Sequence, residues 1–360
     1  MKTIRAAIIG QGRSGRDIHG AYLIQVPEQY KIVAVTDPEE KRRKRAEEEY
    51  GCESYADYRE ILKRDDIDLI INASPSYLHV PITLDALNAG FNVLCEKPLA
   101  RKVEEVDMLI DAAEKAGRML AIYQQSRFAP YFRQVRKVID SGVLGRIVQI
   151  SIAFNGFARR WDWQCLQKNY GGNLLNTGPH PLDQALQLFG TDVMPEVYCI
   201  MDRCNTFGDA EDYVKLILKG KGRPVIDLEI SSCCVYPCFT YNVQATRGGL
   251  KGTMTHIDWK YFKEEEAPEQ QLITEPLEKP DGTPAYCGET LKWYEESWDV
   301  PEEEKNLFNT MAKAFYNMLY KTLTEGAPLE ITPQQVRQQI AVIEECHRQN
   351  GDVHFLSTFS

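Results

Sequence analysis

No stretch of the sequence approaches the roughly 20 consecutive apolar residues that a membrane-spanning helix requires. The first residues, MKTIRAAIIGQG, lack a long apolar segment followed by a small-residue cleavage site, so they do not read as a secretory signal. An excess of positive charge is missing as well: 42 basic residues stand against 52 acidic ones, a net −10. Phosphate binding needs a basic face, so neither nucleic acid nor an anionic membrane is an expected partner. The ten cysteines contain no Cys-x-x-Cys pair. Cys233, Cys234 and Cys238 cluster, but no histidine lies near them and the spacing fits no zinc pattern, so no metal site is expected. Scattered cysteines without a signal segment predict free thiols and a cytoplasmic location. Internal repeats and low-complexity tracts are absent too.

What is present is a chain of 360 residues, 43% hydrophobic and 26% charged, enough for two domains with sizeable cores. Its first third alternates short apolar runs with helical patterns. Strands are expected at Ile4–Ile9, Lys31–Thr36, Asp68–Ala73, Asn92–Cys95 and Met119–Tyr123. Helices are expected from Ser14 to about Val26 and over Pro38–Tyr50, His79–Ala89 and Val103–Ala116, with a helix capped by Asp57 running to Lys63. Such alternation means βαβ units and a doubly wound parallel sheet, a Rossmann domain over residues 1–125.

After Gln125 the pattern changes. Helices at Tyr131–Ser141 and His180–Phe189 accompany strand candidates at Arg146–Phe154, Val197–Arg203, Tyr213–Leu218, Val225–Cys234 and Tyr241–Ala245. Residues 261–306 read as an irregular excursion, followed by amphipathic helices at Leu307–Leu323 and Pro333–Gln349. Residues 126–360 thus predict an α+β domain with a large, open, mainly antiparallel sheet, its last helices packing back on the first domain. The uncovered face of that sheet is expected to be apolar and to pair with another subunit, giving a homodimer or homotetramer.

Gly10-Gln11-Gly12-Arg13-Ser14-Gly15 is a complete G-x-G-x-x-G between a strand and a helix. Gly10 suits the tight turn, Gly12 the approach of a pyrophosphate, and Gly15 close helix–strand packing. The helix start offers free N–H groups to the anion. Asp37 ends the second strand, where an acid binds ribose hydroxyls, and Glu39 and Glu40 follow it, so NAD is favoured over NADP. The basic run Lys41–Arg45 is the counter-argument, unless it is a solvated face paired with Glu47, Glu48 and Glu49. Cys95-Glu96-Lys97-Pro98 lies at the carboxyl end of a parallel strand, where ligands bind in such folds. Lys97 there could stabilise a developing alkoxide, or could be a surface lysine paired with Glu96.

With ASPSYLH at 73–79, ALNAGFNVLCEKPLA at 86–100, QQSRFAP at 124–130 and GGNLLNTGPHPLD at 171–183, the sequence resembles the glucose–fructose oxidoreductase / inositol dehydrogenase / rhizopine-catabolism (Gfo/Idh/MocA) family. The resemblance is strong over residues 1–130 and weaker after Phe189. It implies that Lys97 and His180 are the active-site lysine and histidine. It implies that Asp183 is a helical carboxylate following the histidine, and that Ser74, Pro75, His79, Glu96, Lys97 and Gln125 line the cofactor. Arg127 is expected to order the domain junction or the active site. The family commonly carries Asp four residues before the histidine; here the residue is Asn176, which can bond a substrate hydroxyl but cannot balance an imidazolium by charge. Asp183 could partly replace that charge. Pro181 favours a helix start at His180, which keeps the imidazole neutral and able to accept a proton.

Arg159, Arg160, Trp161, Asp162, Trp163 and Lys168 precede the glycine pair at 171–172. Trp161 and Trp163 suit the apolar face of a pyranose, with Arg160 and its neighbours suiting hydroxyls; core or subunit contacts are the alternative. Tyr236 and the aromatics Tyr286, Trp293 and Trp298 are further candidates. The expected function is an NAD-dependent oxidoreductase acting on a secondary hydroxyl of a sugar, inositol or glycoside. The alternatives are a glycoside 3-oxidoreductase with tightly bound NAD, an NAD-dependent glycoside hydrolase with a transient keto intermediate, and a nicotinamide-dependent sensor without turnover.

Overall fold

A computed structural model describes residues 2–351. Six parallel strands form the first sheet: β1 (Ile4–Ile9), β2 (Tyr30–Thr36), β3 (Glu53–Tyr55), β4 (Leu69–Asn72), β5 (Asn92–Cys95) and β6 (Leu120–Ile122), in the order 3-2-1-4-5-6. All four residues of β4 are buried, as expected of a strand covered on both faces. Arg13–Gly20 winds as a π-helix and runs into α1 (Ala21–Leu23); α2 (Glu40–Tyr50), α3 (His79–Asn88) and α4 (Val103–Ala116) complete the layers. The order reverses between β1 and β4, and ligands of such sheets bind in that crevice, outside the carboxyl ends of the strands.

α5 (Pro130–Asp140) leads into the second sheet, of eight strands: β7 (Ile147–Asn155), β8 (Glu196–Asp202), β9 (Tyr213–Lys219), β10 (Val225–Ser231), β11 (Tyr241–Ala245), β12 (Gly248–Gly252), β13 (His256–Phe262) and β16 (Trp293–Asp299), with a small hairpin of β14 (Leu277–Glu278) and β15 (Pro284–Ala285) between the last two. Only the β7–β10 pair is parallel. Two short helical segments, α6 (Asn173–Asn176) and α7 (Pro179–Phe189), sit between this sheet and the first domain. Tyr241 of the inner face bonds Gln184 of α7 at 2.7 Å. α8 (Leu307–Glu325) and α9 (Pro333–Gln349) return to the first domain. Tyr316 stacks on Tyr22 at 5.0 Å, and Arg337 pairs with Asp107 of α4 at 2.5 Å.

Two expectations are corrected. The irregular excursion shrinks to residues 263–292, because β13 runs to Phe262 and Trp293–Asp299 pairs with it along its whole length. β12 carries three glycines, and its backbone runs so close to β13 that a side chain on Gly248 would meet the Lys260 carbonyl oxygen at 2.1 Å. The outer sheet face is not simply apolar. Gln149, Ser151 and Asn155 of β7, Lys215 of β9 and Asp227 and Glu229 of β10 alternate with the buried residues, and Lys215 pairs with Asp227 at 2.6 Å.

Candidate active site

The three motif glycines do different things. Gly10 has φ +93°, and a side chain there would meet the Ala73 carbonyl oxygen at 2.5 Å. One on Gly15 would meet the Gly10 carbonyl oxygen at 1.8 Å. One on Gly12 would meet no atom within 4 Å. Two glycines thus permit backbone packing, and the third faces open space at a helix start, where a diphosphate needs room. Arg13 beside it is exposed, its side chain making no ion pair or hydrogen bond among the described residues, and Ser14 is partly buried. The Gln11 amide is buried with neither nitrogen nor oxygen partnered.

Asp37 lies at the carboxyl end of β2, buried, accepting from the Gln11 N–H at 2.8 Å and the Glu39 N–H at 2.9 Å. The basic run is not merely a solvated face. Arg42 approaches Asp37 at 3.5 Å, Arg43 donates to the Asp37 carbonyl at 2.9 Å, and Arg45 donates to the Gln11 carbonyl at 2.8 Å. These groups brace the turn that would hold the ribose. The open ground beside Gly12, the free Arg13 and the carboxylate at the end of β2 fit a dinucleotide.

Lys97 follows β5, partly buried, and its ammonium donates to the Asn176 backbone carbonyl at 2.7 Å. The contact crosses from the first domain to the C-terminal end of α6. It uses the carbonyl, so the Asn-for-Asp departure leaves it intact; the Asn176 side-chain oxygen instead accepts from Gln164 at 3.4 Å. Burial draws the Lys97 ammonium below the usual lysine range; Glu96 opposes the fall, and Arg13 and Arg160 add to it.

His180 lies in the first turn of α7. Its Nδ1 contacts the Ser126 hydroxyl at 3.1 Å, and its Nε2 has no partner among the described residues. Burial, helped by the neighbouring Lys97 charge and opposed by Glu96, pushes the imidazole down to about 3. The ring is therefore neutral through the physiological range and offers one unoccupied nitrogen.

Other candidates sit beneath this pair. Asp183 is engaged by Arg127, its Oδ2 accepting from Nε at 2.9 Å with a second bond between Nη2 and Oδ1; both are buried. Arg127 also donates to the Glu330 carbonyl at 2.9 Å, which ties the Asp183 carboxylate to the domain junction rather than to the His180 ring. His79 is fully buried and contacts the carbonyls of Pro98 at 2.7 Å and Ser74 at 2.9 Å, joining the two loops that follow β4 and β5. Ser74 donates to Asn72 at 2.7 Å, Pro75 is exposed, and Gln125 is buried with its side-chain oxygen unpartnered.

The opposite wall is open. Trp161 is 79% exposed and Trp163 44%; Tyr236 is not brought to this site but lies beside Ser151, Asn155, Lys215, Asp227 and Glu229 on the outer face of the eight-stranded sheet. Arg160 pairs with Asp162 at 2.8 Å and reaches Gln164 at 2.5 Å, the residue that bonds Asn176. A cavity of about 590 Å³ lies next to α6, lined by Phe157, Thr177, Ser232, Pro237, Phe239 and Met254 among others. Tyr286 is almost fully exposed, whereas Trp293 lies on an edge strand with Lys260 over its ring at 5.1 Å and Trp298 packs on the core. Sequence reasoning missed Ser126, Gln164 and His19; Gln164 had a local signal, lying between the flagged Trp163 and the glycine pair.

A doubly wound domain with this glycine turn, joined to a second domain that sets a histidine opposite its lysine, defines a nicotinamide-nucleotide oxidoreductase. The chain belongs to the GFO/IDH/MocA family. Residues 4–124 match its oxidoreductase, NAD-binding Rossmann fold model, and residues 132–251 match its C-terminal domain model. NAD is the cofactor of this fold, and no helix among the described residues is long and apolar enough to cross a membrane. An uncharacterized oxidoreductase of Schizosaccharomyces pombe is 26% identical, over 97% of each chain. The D-glucoside 3-dehydrogenase of Escherichia coli is 31% identical over 54% of this chain and 56% of its own. The WlbA dehydrogenase from Bordetella pertussis, solved with NADH and UDP-GlcNAcA, has a TM-score of 0.75 at 20% identity, covering 97% of this chain and 96% of that one.

Proposed function

We propose that this protein oxidises a secondary hydroxyl of a sugar, inositol or glycoside, or reduces the corresponding ketone. The observation that carries the reading is the 2.7 Å bond from the Lys97 ammonium to the carbonyl of Asn176, the residue four positions before a neutral histidine whose Nε2 has no partner among the described residues. NAD, when bound, supplies the hydride acceptor. The chain's own residues handle the proton and the charge. The hydroxyl proton passes to His180 Nε2, the Lys97 ammonium holds the charge developing on the oxygen, and Ser126 orients the imidazole through Nδ1. Arg13, Gly12 and Asp37 bind the diphosphate and ribose. Trp161, Trp163 and Arg160 receive the sugar on the open wall.

The D-glucoside dehydrogenase relative favours a carbohydrate with its secondary hydroxyls free. A variant in which NAD stays bound and is restored on the enzyme follows from the same groups. The ten cysteines are all free, which fits a reducing cytoplasm.

The test is to denature purified protein, identify any released nucleotide, and screen the native enzyme with NAD against inositols, hexoses and glycosides. Lys97→Met should lower kcat by about 10²–10³-fold or more while NAD still binds. Undiminished turnover in that variant removes Lys97 from the reaction.

A further inference from the structure

Lys97 is held from behind by a buried chain of polar groups that begins in α8. Tyr316 of α8, fully buried, places its hydroxyl 2.6 Å from His19 Nδ1. His19 Nε2 lies 3.2 Å from Glu96 Oε1, and the other Glu96 oxygen accepts the Lys97 backbone N–H at 3.1 Å. His19 and Glu96 are both buried. The backbone around Tyr316 is pinned in turn, because the Tyr30 hydroxyl donates to its carbonyl at 2.8 Å. The helix that starts at the nucleotide-binding turn, the end of β5 and a helix from the far end of the chain therefore meet at one carboxylate.

We propose that His19 and Tyr316 are positioning residues that act on Lys97 through Glu96: the chain Tyr316–His19–Glu96 fixes one carboxylate, and that carboxylate fixes the peptide and the charge state of Lys97. The idea rests on the assignment of Lys97 to the reaction. A buried carboxylate without partners takes up a proton, whereas a bonded one stays charged. Burial favours protonated Glu96. The His19 hydrogen bond, with the fields of His19, Lys97 and His79, overrides it and brings the carboxyl down to about 2.

The groups facing the pair come from every side. Arg13 and His19 belong to the helix at the glycine turn, His79 to α3, Cys95 to β5, Tyr123 follows β6, Tyr316 belongs to α8, His180 to α7, and Arg160 to the loop after β7. Of the charges acting on Lys97, Glu96 alone favours the ammonium, while Arg13 and Arg160 oppose it. Losing the Glu96 charge must therefore lower the lysine further.

The experiment reads Lys97 directly, independently of turnover. The full chain with NAD bound is reductively methylated with ¹³C, the Lys97 signal is assigned by its loss in Lys97→Arg, and its titration is followed by NMR beside amide exchange of the Lys97 N–H. Glu96→Gln should lower the Lys97 titration by about one unit or more. His19→Leu should shift it the same way and speed exchange of the Lys97 amide. Tyr316→Phe, which conserves volume, should do so more weakly, and His19→Gln, which can still donate to Glu96, should stay near wild type. A Lys97 signal and amide that are the same in Glu96→Gln and Tyr316→Phe as in wild type, with melting temperatures showing folded protein, overturns the proposal. A shifted lysine in an enzyme that turns over no carbohydrate would leave the chain standing and sink the assignment of the reaction.

Discussion

The two walls of the cleft are built differently. On the cofactor wall the important groups are buried and bonded to backbone: Asp37 holds the N–H groups of Gln11 and Glu39, and Glu96 holds that of Lys97. On the opposite wall Trp161 projects into solvent, and Arg160 is tied to its sequence neighbour Asp162. Groups fixed by backbone bonds give one geometry and suit a reaction common to many substrates. Exposed aromatics on loops carry little of the fold's stability and can change with the substrate.

That contrast can be broken at its seam, where the largest effect is expected. Arg127→Met leaves Asp183 as an uncompensated buried charge and should cost about 3–5 kcal/mol of stability. The loss is measured by denaturant unfolding. A cost below 1 kcal/mol would mean that the junction is not held by this pair.

Within the cofactor wall the glycines sharpen the comparison. Gly12→Ala adds a methyl where no atom lies within 4 Å, so the fold should be unchanged while NAD affinity falls about 10-fold, on the order of one lost contact of 1.4 kcal/mol. Gly15→Ala collides with the Gly10 carbonyl oxygen and should lower stability by about 1–3 kcal/mol as well. Calorimetric NAD titration and thermal melting separate the two. Equal behaviour of both variants would contradict the roles given to these glycines.

On the open wall, Trp161→Ala should leave stability within about 0.5 kcal/mol and NAD affinity unchanged, and raise KM for the carbohydrate. A fall in NAD affinity would erase the distinction between the walls.

A different kind of effect is expected in the pH dependence of folding. His180 is held at about 3 and His79 below its ordinary 6.5, both by burial. The unfolded chain takes up these protons near pH 6.5 while the folded chain resists, so stability is complete above 6.5 and is lost as pH falls from there towards 3. His180→Asn should lessen the decline in melting temperature between pH 7 and 5. An unchanged slope would show that the ring is not buried neutral.

The first sheet was legible, apart from the three-residue edge strand Glu53–Tyr55, because strands covered on both faces are short, apolar and bounded by helices of regular period. The second was legible only where one face alternates, as in Tyr213–Lys219. Trp293–Asp299 escaped because its outward positions carry acids and it lies at the sheet edge, and Gly248–Gly252 escaped because glycine suppresses any strand pattern. Lys97 and His180 stood out through local motifs. His19 did not, since its partners lie 77 and 297 residues away, a distance over which no periodicity speaks. Asp183 looked like a partner for His180 by helical spacing, but a buried guanidinium claims it.

The central claim is that NAD on the first domain places its nicotinamide between the ammonium of Lys97 and the imidazole of His180. A crystal structure of the protein soaked with NAD and a carbohydrate tests it most directly. The account predicts the diphosphate over Gly12, and one substrate oxygen about 3 Å from both Lys97 Nζ and His180 Nε2 above the nicotinamide ring. A nicotinamide lying away from those two side chains, with the diphosphate still seated at the turn, would contradict it.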